Sequence, residues 1–101
     1  MKRPDEKVVC ETPTPGKQPT RIQRWKYELV RKLILDALPV DPPGLPFKTL
    51  ARHIADQLDA DQKKQLGSIG WYTTTVKLDL EVKGEITRVT GLPTQHLIRH
   101  Q

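Results

Sequence analysis

Residues 71–89 read WYTTTVKLDLEVKGEITRV, and this stretch decides the fold. From Val76 to Val82 apolar and polar residues alternate, the signature of a half-buried strand. Thr73, Thr74 and Thr75 add β propensity. The same stretch also reads as a helix. Ser68 is a good N-cap and Gly84 a good residue to follow the last turn. Ile69, Tyr72, Thr73, Val76 and Leu80 then form one stripe, and Trp71, Thr75, Leu78 and Val82 a second. Asp79 and Lys83 stand at the favourable i, i+4 spacing, and Lys77 and Glu81 pair in the reverse order. Local pattern alone leans towards the strand. A strand over 71–82 has twice the usual length of ~5–6 residues, and it leaves two helices and one long hairpin to close a core.

Working outward, residues 20–38 have helical spacing. Thr20 and Gln23 have the separation of a capping box. Ile22, Trp25, Leu29, Leu33 and Ala37 form a stripe, which Val30, Ile34 and Leu38 widen. Pro39 ends it. PVDPPGLPF is a stiff connector with room for a strand edge at Gly44-Leu45. A second helix follows, with Phe47, Leu50, Ala51, Ile54 and Leu58 on one face. Residues 59–67 suit a loop or one extra turn. Residues 1–19 hold four of the nine prolines and read as a disordered tail, so the domain is expected over 20–101.

The chain has 101 residues and a net charge of +5, which permits an anionic partner. Residues 21–39 carry five basic and two acidic side chains, so the excess sits on the first helix. No apolar run approaches the ~18 residues of a membrane span, and MKRPDEKVVC lacks the apolar region of a secretory signal. A cytoplasmic location is expected. Cys10 has no second cysteine to pair with. His53, His96 and His100 lack ligand spacing to one another or to a carboxylate. No phosphate-binding glycine loop or nucleophile elbow is present. No metal, cofactor, small-molecule ligand or enzymatic activity is expected.

The order helix, extended link, helix, turn, helix ending LDLEVKGEI, then TRV, TGLPTQ and HLIRH resembles the winged helix-turn-helix fold of bacterial regulators. Leu80, Glu81, Lys83, Gly84, Ile86 and Arg88 carry the resemblance. WYTTTVKLDLE is also similar to small uncharacterised bacterial proteins of that architecture. The resemblance implies an α+β, mainly α fold: three helices and a C-terminal β-hairpin wing, with the third helix starting at Ser68 and ended by Gly84, and Ile86–Val89 as the first wing strand. It further implies a regulator-like protein binding double-stranded DNA, with helix three in the major groove and the wing on the backbone. Contacts would then come from Ser68, Thr74 and Lys77 on the helix, and from Arg88, Gln95, His96 and Arg99 on the wing. Against this, Glu81 and Asp79 put negative charge on or beside the reading face. Trp71, Leu78 and Val82 form an apolar stripe that either the chain itself or a second subunit covers. The alternative is a winged-helix module for protein–protein contact without nucleic acid.

Overall fold

The structure, a computed structural model, describes residues 6–100. It is α+β, with four helices and two small antiparallel sheets among the described residues. In chain order these are β1 (Lys7–Cys10), β2 (Thr20–Gln23), α1 (Arg24–Ala37), β3 (Leu45–Pro46), α2 (Phe47–Asp56), α3 (Ala60–Leu66), α4 (Ile69–Val82), β4 (Ile86–Arg88) and β5 (His96–Arg99). Strands β1 and β2 pair as a hairpin, while β5 lies between β3 and β4. No helix among the described residues is long and apolar enough to cross a membrane.

The disputed stretch is a helix, and both of its ends are chemically closed. Ser68 Oγ accepts from the Trp71 N–H at 3.2 Å. At the other end Gly84 takes φ +77°, its N–H donates to the Glu81 carbonyl, and the Glu85 N–H donates to that of Leu80. This is the paired bonding of a Schellman motif, and glycine makes its left-handed turn cheap. The alternation over Val76–Val82 therefore reflects two helical faces.

Three expectations are corrected. The first helix starts at Arg24, not Thr20, and its N-cap residue Gln23 makes no side-chain capping bond. Thr20–Gln23 is strand β2, with Ile22 turned into the core and Arg21 turned out. Residues 7–10 of the expected tail are its partner strand, in the register Val8↔Ile22 and Cys10↔Thr20. Cys10 is buried and Val8 packs on the core, so this hairpin closes one side of the domain. Residues 1–5 of that expected tail lie outside the described residues. Finally, residues 60–66 form a helix of their own, α3, so the helices number four, not three. Asp59 and Gln62 make a full capping box at its start.

The core is shared by all layers. Val30 and Ile34 of α1, Leu50 and Ile54 of α2, Leu66 of α3, Val76 and Leu80 of α4, Ile86 of β4 and Leu97 of β5 are essentially inaccessible. On α1 the inner row is therefore Tyr27, Val30 and Ile34, continued by Leu38 at the C-cap. Trp25 of the other row is 36% exposed.

Candidate interaction face on helix α4

Helix α4 packs its inner side on α1 and α2. Its outer side carries Trp71, Thr74 and Val82, all exposed, with Leu78 half-buried. Trp71 and Val82 keep 47% and 46% of their surface. The apolar stripe thus divides. Residues 10–20 pass over Thr75 and Leu78, leaving a 120 Å³ cavity between. Trp71 and Val82 are left open at the two ends of the helix. Further along, Pro13, Thr14 and Pro15 face Glu81 and Ile86–Arg88 across a hollow of about 530 Å³.

The charged side chains expected to meet DNA have partners within the fold. Lys77 is not on the surface. It is 2% exposed, its ammonium lies 3.1 Å from Glu81 Oε1, and it sits 4.6 Å from the centre of the Phe47 ring. Burial lowers its pKa, which Glu81 offsets in part. Arg88 Nε donates to the same Glu81 carboxylate at 2.8 Å. Arg99 Nε donates to the Leu38 carbonyl at 3.0 Å. His96 has Nδ1 3.1 Å from the Pro43 carbonyl oxygen and Nε2 3.1 Å from Thr94 Oγ1. Gln95 is half-buried, with its backbone carbonyl accepting from Phe47 N–H. Ser68 caps α4, which leaves Thr74 as the exposed residue of that set on the middle of the helix.

Two clusters had no clear signal in the sequence. The first centres on Asp79, whose side chain is fully buried. It accepts from the Tyr27 hydroxyl at 2.5 Å, the Lys83 ammonium at 2.7 Å and the Glu11 backbone N–H at 2.9 Å. Burial pushes its pKa up, but the bonds from Lys83, Tyr27 and Glu11 outweigh it, so the carboxyl titrates below its ordinary value. Lys83 also donates to the Tyr27 oxygen at 3.0 Å. The i, i+4 spacing showed the Asp79–Lys83 pair; it did not show that the pair ties α4 to α1 and to the N-terminal segment.

The second cluster joins the start of α1 to the start of α4. Lys26 Nζ lies 5.6 Å from the centre of the Trp25 ring and 4.9 Å from that of Tyr72. It donates to the Leu66 carbonyl and the Tyr72 hydroxyl, each at 3.2 Å. Trp71 meets Tyr72 edge to face, with centroids 4.9 Å apart.

Among the described residues no group of three His, Cys, Asp or Glu side chains is placed to hold a metal. The chain belongs to a family of unknown function, DUF6958, whose model matches residues 7–96. That match begins at strand β1, so the family's shared region includes the N-terminal hairpin. No curated protein and no solved structure matches the chain.

Proposed function

We propose that this chain is a winged-helix-type interaction module that docks a protein partner on the outer side of α4. The element order α1, β3, α2, α4, β4, β5, with β5 between β3 and β4, supports the winged-helix reading. One contrast carries the docking reading: Trp71 and Val82 are about half exposed on α4, while Lys77, the one lysine within that helix, is buried. Lys77 is buried against Glu81, and Lys83, which follows the last turn, is held by Asp79. Full burial of a Val-sized side chain is worth ~1.5–3 kcal/mol, so covering both residues is a sizeable gain for a complex. A DNA-reading helix needs the opposite, cations free to meet phosphates and bases.

Fluorescence anisotropy with a random-sequence DNA duplex tests this, at low and at physiological salt. No saturable binding in the micromolar range at low salt is expected. Binding that saturates and weakens steeply with salt would replace docking with DNA binding. Light scattering in the same buffer checks whether the partner is a second copy. Self-association that Val82→Asp abolishes without unfolding the monomer would identify it as one.

A further inference from the structure

We infer that the aromatic end of α4, formed by Trp25, Lys26, Trp71 and Tyr72, takes a short acidic peptide segment bearing a bulky apolar side chain. This rests on the docking reading above and names the chemistry of the partner.

Three observations carry it. The chain has two tryptophans, and both lie at this end with about 36% and 47% of their surface open. Trp and Tyr are among the residues that most often dominate binding energy in protein interfaces. Secondly, the local charge is positive. Lys26 reaches the Leu66 carbonyl at the end of α3, and the last turn of α3 also carries Lys63 and Lys64. Both are exposed, and no ion pair holds either among the described residues. The acids of α3 lie at its other end, where Asp59 caps the helix and Asp61 accepts from Gln65. Thirdly, Lys26 and the edge contact between Trp71 and Tyr72 already take up part of the ring surface. Lys26 lies against the Trp25 ring and the hydroxyl end of Tyr72, and Trp71 and Tyr72 meet edge to face. Bases of a single-stranded nucleic acid stack on open faces. Ring edges around a cation suit an aliphatic or aromatic side chain with carboxylates beside it.

The test is selection of a random-peptide display library on the full chain, followed by titration of synthetic hits against tryptophan emission. Selected peptides are expected to be net acidic and to contain at least one large apolar residue. Their affinity should fall about tenfold or more in Trp71→Ser, as for an interface anchor. It should also fall in the double variant Lys63→Glu, Lys64→Glu, and with added salt. Circular dichroism checks that each variant is folded; the two lysines are on the surface, so that arm stands even if Trp71→Ser unfolds. Hits without acidic bias that still need Trp71 would overturn the acidic assignment and leave docking on α4 standing. Hits indifferent to both Trp71 and Val82 would sink the two together. Tighter binding of oligothymidylate than of any peptide would assign the site to nucleic acid instead.

Discussion

The Tyr27 hydroxyl donates a 2.5 Å hydrogen bond to Asp79 Oδ2, joining α1 to α4 in the interior of the domain. Asp79 is at zero exposure, so its charge is tolerated only because three donors converge on it. Tyr27→Phe removes one donor and is expected to cost ~1.5–3 kcal/mol, the range for a bond to a charged group. Asp79→Asn should cost at least as much, since it also leaves Lys83 without its counter-ion. Urea denaturation of both single variants and the double variant checks this. The effects should be clearly less than additive, because the two changes remove one shared bond.

Acid should weaken this same junction. The folded carboxyl of Asp79 titrates below its ordinary value. A depressed carboxylate contributes stability that is complete above the unfolded pKa of ~3.9 and is lost as pH falls through the folded one. Unfolding free energy should therefore drop below about pH 4. The drop should be shallower in Asp79→Asn. At the alkaline end Tyr27 acts with the opposite sign: burial and the Asp79 bond push its hydroxyl up to about 12. Its share of stability is present below the unfolded pKa of ~10 and fades as pH rises towards 12. A denaturation series across pH, with and without Asp79→Asn, reads both limbs.

Much of the helical frame was legible because its signals are local. Ser68 and Gly84 bracket α4 by cap chemistry that needs no tertiary partner, and Phe47, Leu50 and Ile54 mark the inner face of α2. The N-terminal hairpin was not legible. Thr20 and Gln23 have the spacing of a capping box, yet that segment is a strand, and its partner lies across the proline-bearing loop 11–19. The burial of Lys77 was not legible for a similar reason. A lysine on a helix reads as solvated until Phe47 of α2 and Glu81 are seen to enclose it.

Cys10 reports on the N-terminal hairpin. It is 2% exposed, and burial, with Asp79 adding to it, pushes its thiol up to about 11. The thiolate is the reactive form, so the folded chain should react very slowly with a disulfide reagent at pH 8. Glu11→Pro deletes the N–H that Asp79 accepts, and with it a bond of the charged class worth ~1.5–3 kcal/mol. Strand opening should then be about tenfold more frequent or higher, and labelling of Cys10 should accelerate by the same factor. Timed labelling of both chains measures it.

The buried Lys77–Glu81 pair should respond asymmetrically to its two deletions. Glu81 also holds Arg88, so Lys77→Met leaves the carboxylate with a partner. Burial of the ammonium outweighs what Glu81 returns, as its lowered pKa records. Lys77→Met should thus leave stability within ~1 kcal/mol of the parent or raise it. Glu81→Gln strands the ammonium against Phe47 and should cost ~3–5 kcal/mol. Equal losses for the two variants in thermal melts would mean that Lys77 is in contact with water.

Gly44 holds the hairpin to the helices by absence of a side chain. Its φ is +76°, and a Cβ there would stand 2.3 Å from the Leu97 carbonyl oxygen. That oxygen belongs to β5, where Leu97 is the register partner of Leu45 in β3. The clash is with backbone, so no side-chain rotation relieves it, and β3 must part from β5. Gly16 makes the control, with φ +79° and nothing within 4 Å of a built Cβ. Gly16→Ala should cost only the left-handed penalty of ~1–2 kcal/mol. Gly44→Ala adds the collision and should cost ~3 kcal/mol or more. Hydrogen exchange locates the damage. Faster exchange at the Phe47 and Arg99 amides, which bond to Gln95 and Pro39 beside this junction, is expected in Gly44→Ala alone. The α4 amides should keep their relative protection in both variants, because the caps at Ser68 and Gly84 do not depend on β3.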